Sequence, residues 1–126
     1  MEKEIDVSKY IGKGYKDNSR GKDFYDCYSL MLAIQKDLGH EIKDCRYNSA
    51  IKSERVAGIE KERQTGLYEK IEKPLAGCIV IMYHNNVPQH VGVYVGNGKV
   101  IHATVDRGVV IDELRTLSVE GFYKVK

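Results

Sequence analysis

Cys27 stands directly after Asp26, at the head of a run in which Leu30, Met31, Ile34 and Leu38 recur at helical spacing. Asp26 reads as an N-cap and Gly39 as a stop, so the pattern predicts a helix whose first turn carries a thiol. Unpaired amides and the dipole at that end favour a thiolate, and a nearby imidazolium would favour it further, which is how a cysteine becomes a nucleophile. The position also suits a buried thiol that only opens the apolar stripe, since free cysteine is among the most buried residue types. His90 and His102 are the second source of chemistry: one can act as general base while the other orients it through its second ring nitrogen. A pair of half-exposed strand histidines is the plainer reading of the same residues. A zinc site built from Cys27, His90 and His102 has suitable ligand types but no close-spaced Cys-x-x-Cys or His-x-x-x-His pair behind it, so no metal is expected. His84, beside Asn85-Asn86, and His40, after Gly39, read as solvated, and Cys45 and Cys78 as structural or incidental.

The element that must bring the histidines together is a hairpin over 91–105. Val91, Val93 and Val95 share one strand face and Ile101, Ala103 and Val105 share one on the next, so burying both sets together requires Gly92 opposite His102. That register implies a three-residue loop, Gly96-Asn97-Gly98, and puts His90 and His102 on the face opposite the valines as diagonal neighbours about 7–8 Å apart. Gly92 leaves open space beside them. A two-residue Asn97-Gly98 turn would put the two histidines on opposite faces.

Around this hairpin the chain changes character near Glu72–Pro74, with helices before and strands after. Residues 1–23 are polar and contain Gly12, Gly14 and Gly21, which reads as an ordered loop long enough to be functional. A second, mostly charged helix is predicted from Asn48 to Arg63, weakened by Gly58, and Gly66 to Ala76 reads as a connection. Five β-branched runs follow: Cys78–His84, His90–Val95, Lys99–Thr104, Val109–Asp112 and Phe122–Val125. Their short links force antiparallel neighbours, so the fold class is α+β, with the thiol-bearing N-terminal helix packed on an antiparallel sheet of about five strands.

The 126 residues make a single domain, 1–126, and the net charge of +2 gives no broad positive field for nucleic acid. The apolar run Cys78–Tyr83 is far short of the roughly 20 residues that cross a bilayer, and the charged start is no signal peptide, so the chain is expected to be made in the cytoplasm and to have no membrane partner. Three cysteines argue for reduced thiols over a disulfide framework.

Tyr15, then Phe24-Tyr25-Asp26-Cys27, and later His90-Val91-Gly92-Val93-Tyr94-Val95-Gly96-Asn97-Gly98 with Ile101-His102-Ala103, resemble the NlpC-type cell-wall cysteine peptidases over roughly Tyr10 to Lys126. Tyr10–Asp17, Asp37–Ile42 and Gly121–Lys124 look most like the bacteriophage tail-assembly branch. The resemblance implies a reduced papain-like fold that needs no cofactor. It also implies Cys27 as nucleophile, His90 as general base, His102 as the group that orients it, and Tyr15 near the substrate carbonyl or oxyanion. The implied substrate is a peptidoglycan stem peptide, typically cut next to D-glutamate and a diamino acid, and the implied setting is a phage or prophage tail with other tail proteins as partners. The chain departs from the family at Tyr28-Ser29, where Ser-Gly is usual, at Asn18-Ser19, where Gly-Gly is usual, and at Ala76-Gly77-Cys78, where Pro-Gly-Asp is usual. A catalytically weak tail component on the same fold, or an acyl-transfer enzyme using the same thiol, would carry the same residues.

Overall fold

The Asp26 carboxylate accepts the Ser29 amide at 2.8 Å while Ser29 Oγ accepts the Asp26 amide at 3.0 Å, so helix α1 (Cys27–Asp37) begins on a closed capping box. Ser29, a departure from the family pattern, is one half of that box. The computed structural model describes residues 2–126. Tyr28, the other departure, is buried, and its hydroxyl donates to Glu62 Oε1 at 2.5 Å and accepts the Cys45 amide at 3.1 Å. The bulky side chain therefore ties α1 to helix α2 (Lys52–Arg63). That helix starts at Lys52 rather than Asn48 because residues 48–50 form a turn in which buried Ser49 bonds to Asn18. Gly58 is a packing requirement, since a Cβ there would collide with the Tyr47 ring.

Within the N-terminal segment, β1 (Gly14–Tyr15), β2 (Arg20–Gly21) and β3 (Phe24–Tyr25) form a small sheet in the order β1-β3-β2. Asn18, in the loop between β1 and β2, takes the left-handed φ of 64° that a glycine would otherwise supply, and its amide reaches Asp26 Oδ2 at 3.1 Å. The loop that follows Tyr15 is thus fastened to the cap of α1.

The main sheet comprises β4 (Tyr68–Ile71), β5 (Ile79–His84), β6 (Val87–Gly96), β7 (Lys99–Thr104), β8 (Gly108–Glu113) and β9 (Val119–Val125), ordered β4-β9-β5-β6-β7-β8 with every pair antiparallel. It has six strands rather than five. The additional one, β4, lies in the segment read as a connection; it is a short edge strand with Glu69 and Lys70 exposed, and so lacks the apolar alternation that marks a buried strand. One face of the sheet packs Val91, Val93, Val95, Ile101 and Ala103 against Leu30, Met31 and Ile34 of α1, and Val80, Met82, Tyr94 and Val100 form a second apolar cluster. Among the described residues no helix is long and apolar enough to cross a membrane.

The β6–β7 hairpin reaches the expected register by another route. Val93 pairs with Ile101 and Tyr94 with Val100, the alignment that sets Gly92 opposite His102. The turn, however, is the two-residue Asn97-Gly98, with both φ angles positive (53° and 77°), and the register shifts between Tyr94 and Gly96. This bulge supplies the extra residue that a three-residue loop would have supplied, so the two-residue turn does not separate the histidines. The space beside Gly92 is not open either. A Cβ there would meet Ile101 O at 2.8 Å and Met82 Cε at 3.0 Å, so glycine is required by close approach of the neighbouring strands.

Candidate active site

His90 Nε2 and His102 Nδ1 lie 2.8 Å apart, with their rings inclined at 61°. On the far side of His102, Nε2 lies 2.7 Å from Asp112 Oδ2, and both Asp112 oxygens are gripped by Arg107, at 3.0 Å through Nη1 and 2.7 Å through Nη2. Arg107 and, to a lesser degree, His102 hold the Asp112 carboxyl well below the usual carboxylate range, so it is an anion that only accepts. His102 then donates from Nε2, and its Nδ1 is the nitrogen placed to accept. That nitrogen accepts a hydrogen bond from His90 Nε2–H, and the remaining nitrogen of His90, Nδ1, keeps its lone pair. Burial, then the neighbouring His102, His84 and Arg55, lowers the His90 pKa to about 3, so the ring is neutral near pH 7. A neutral imidazole with one nitrogen committed and the other free has the form of a general base.

Cys27, His90, His102 and Tyr15 line one cleft of about 480 Å³. Cys27 is 3% exposed. The helix start by itself favours a thiolate, but burial pushes the thiol pKa up to about 11, against the lowering effects of the Val91 amide, the Tyr47 hydroxyl and the Arg55 charge. Desolvation therefore outweighs the helix terminus, and at neutral pH the side chain is a thiol. The action of the Val91 amide places Cys27 beside the strand segment that carries His90. Among the described residues no hydrogen bond joins Cys27 to His90, an arrangement common where catalytic bonds tighten only once substrate is bound.

The capping box fixes the backbone at Cys27, and the helix start leaves the Cys27 amide without an intrahelical partner, free to face a developing oxyanion. Tyr15 is half-buried, and its hydroxyl donates to Asp17 Oδ1 at 2.7 Å. It lines the cleft as expected but reaches a substrate oxygen only by leaving Asp17. Of the other singled-out residues, His84 is exposed at the cleft wall, while His40 is half-buried with its Nδ1 2.8 Å from Gln35 Oε1 and is not simply solvated. Cys45 and Cys78 lie outside the cleft. No group of three or more His, Cys, Asp or Glu suited to a metal occurs among the described residues.

Several participants escaped the sequence reading. Asp112 could have been found: β8 pairs His102 with Val110 and Val100 with Asp112, so the two-residue alternation that places Val100 and His102 on one face also places Asp112 there. Arg107 follows from its position in the turn before β8. Tyr47 carried no such signal, because it sits in the irregular segment between the helices. Its buried hydroxyl favours the Cys27 thiolate, and among the described residues it completes no hydrogen bond.

The NlpC/P60 family pattern matches residues 9–124. Over 109 residues the chain is 29% identical to the "Probable endopeptidase p60" of Listeria innocua and 28% identical to that of Listeria monocytogenes, in each case covering 86% of this chain and 20% of the relative. The chain thus spans about a fifth of the length of these curated relatives. The structure of NlpC2 from Trichomonas vaginalis superposes with a TM-score of 0.70 at 23% identity, covering 94% of this chain and 45% of that one. The NlpC/p60 domain of the peptidoglycan hydrolase SagA superposes with a TM-score of 0.66 at 17% identity, covering 94% and 92%. These structures share the reduced papain-like α+β architecture described above. With a sequence pattern running from Lys9 to Lys124 and a fold shared along nearly its whole length, the chain belongs to the NlpC/P60 family.

Proposed function

We propose that the chain is a thiol hydrolase, an endopeptidase or amidase of peptidoglycan stem peptides, with Cys27 as nucleophile, His90 as general base and His102 as the group that orients His90. The observation that carries this reading is the hydrogen-bonded series His90, His102, Asp112 and Arg107, ending in the cleft that Cys27 lines. In this mechanism His90 Nδ1 takes the Cys27 proton as Sγ attacks the scissile carbonyl, and the Cys27 amide receives the oxyanion. The imidazolium so formed is stabilised through His102 by the Asp112 carboxylate. It returns the proton to the departing amine, leaving a thioester that water, deprotonated by the same histidine, hydrolyses. The name of the p60 relatives supports endopeptidase chemistry, and the description of SagA as a peptidoglycan hydrolase supports the substrate class. The tail-associated setting, with other tail proteins as partners, rests only on the segments Tyr10–Asp17, Asp37–Ile42 and Gly121–Lys124.

A series of polar contacts of this completeness, part-buried at His90 and His102, favours an enzyme over an inert tail component, because a scaffold has no use for an oriented, neutral imidazole. Incubation of the purified protein with a synthetic stem peptide, followed by mass spectrometry, tests the proposal. Two fragments whose masses sum to that of the peptide plus water are expected from the wild type, and none from Cys27→Ala. An intact peptide after exhaustive incubation with wild type, or cleavage that survives Cys27→Ala, contradicts it. Transfer of the acyl fragment to an added amine would identify acyl transfer instead.

A further inference from the structure

Arg55, in the first turns of α2, lines the same cleft as Cys27 and His90 and is close enough to lower the pKa of both. Its side chain is half-buried, and among the described residues it makes no ion pair with any carboxylate. All its partners are neutral: Nε and Nη2 reach Gln89 Oε1 at 3.3 and 3.0 Å, and Nη1 reaches Ser49 O at 2.7 Å. Gln89 is itself held by donating to His84 O at 2.7 Å. A guanidinium carries five N–H donors, so these contacts leave two unused, one on each terminal nitrogen. Of the nearby acids, Asp17 receives Tyr15 and Glu54 receives the Asn48 amide, while Asp106, exposed on the cleft lining, makes no ion pair with Arg55 among the described residues. A partly desolvated cation, oriented by neutral groups and keeping two donors, is built to meet an anion from outside, and planar two-point binding of a carboxylate is what a guanidinium does best.

We infer that Arg55 is a carboxylate-binding group of the cleft, and that the substrate carries a free carboxylate close to the bond that is cleaved. The inference rests on the hydrolase reading and narrows it to peptides in which that carboxylate is not amidated. A structural role, tying α2 to β6 through Gln89, would not distinguish a carboxylate from a carboxamide.

The test uses Cys27→Ala protein and calorimetric binding of two synthetic peptides, L-Ala-γ-D-Glu-L-Lys-D-Ala and its counterpart with the glutamate α-carboxylate converted to a carboxamide. The carboxylate peptide is expected to bind about tenfold tighter or more, a difference that shrinks to less than about twofold in Cys27→Ala/Arg55→Gln. Equal affinities, no measurable binding of the carboxylate peptide, or a preference that survives Arg55→Gln would overturn the inference. If Arg55→Gln fails to fold by circular dichroism, Arg55→Lys decides: the retained point charge should keep only part of the preference, and an undiminished preference contradicts the role of the fork. Carboxylate-selective binding without cleavage by the wild type would leave this inference standing and contradict hydrolysis, while cleavage of both peptides at equal rates would do the reverse.

Discussion

Asp112 Oδ2 lies 2.7 Å from His102 Nε2, and this contact sets the proton positions of both histidines. Because the carboxylate accepts and never donates, each ring in turn is left with one defined donor and one defined acceptor. Asp112→Asn, which can present an N–H to His102 instead, is expected to lower kcat by about a hundredfold or more while KM stays within about twofold, the pattern of a positioning residue. Nitrogen-15 NMR of the histidine rings should show the matching change of tautomer. A kcat reduced less than threefold, or rings with unchanged tautomers, would contradict the role given to Asp112.

His90 also links stability to pH. Its folded pKa is lowered from 6.5 to about 3, so between those values the unfolded chain binds more protons at this position than the folded one. The contribution is fully present above about pH 6.5 and is lost as the pH falls toward 3. Tm measured across this window is expected to fall less steeply in His90→Gln than in wild type. Parallel curves would contradict burial of a neutral His90.

Cys27 should alkylate slowly at neutral pH and faster as the pH rises toward its thiol pKa of about 11. Iodoacetamide labelling followed by peptide mass spectrometry measures this directly. Rapid labelling below pH 7 would show a resting thiolate, in contradiction to the buried thiol described here.

Among the described residues the buried Tyr47 hydroxyl has no hydrogen-bond partner, which costs stability of about 1–3 kcal/mol, yet it favours the Cys27 thiolate. Tyr47→Phe is therefore expected to hold or raise Tm while slowing Cys27 alkylation at fixed alkaline pH. A lower Tm with unchanged alkylation would assign Tyr47 to packing alone.

Ser29→Ala opens the capping box and should lower stability by about 1 kcal/mol, read from urea unfolding. A change below about 0.3 kcal/mol would mean that Asp26 alone holds the start of α1.

Much of this arrangement was legible in the sequence because it follows from period and chemistry. The helical spacing of Leu30, Met31 and Ile34 after Asp26 places the thiol at a helix start, and the strand alternation around Gly92 brings His90 and His102 to one face. The hairpin turn was misread because a bulge and a longer loop satisfy the same register. Of the two readings of Cys27 the buried thiol describes the resting state, because a helix terminus acts locally whereas the desolvation that outweighs it comes from the packed surroundings. Tyr47 and Arg55 stayed invisible for the same reason, the first reaching Cys27 and the second the cleft through tertiary packing that no local pattern encodes.

The central claim is that Cys27, deprotonated by His90, is acylated by a wall stem peptide. Rapid-quench mass spectrometry of the intact protein mixed with such a peptide, followed by digestion to locate the adduct, tests it most directly. The account predicts a transient mass increase equal to the acyl fragment, located on Cys27 in wild type and absent in both His90→Ala and Cys27→Ala. Turnover with no adduct on Cys27, or an adduct that forms equally fast in His90→Ala, would contradict it.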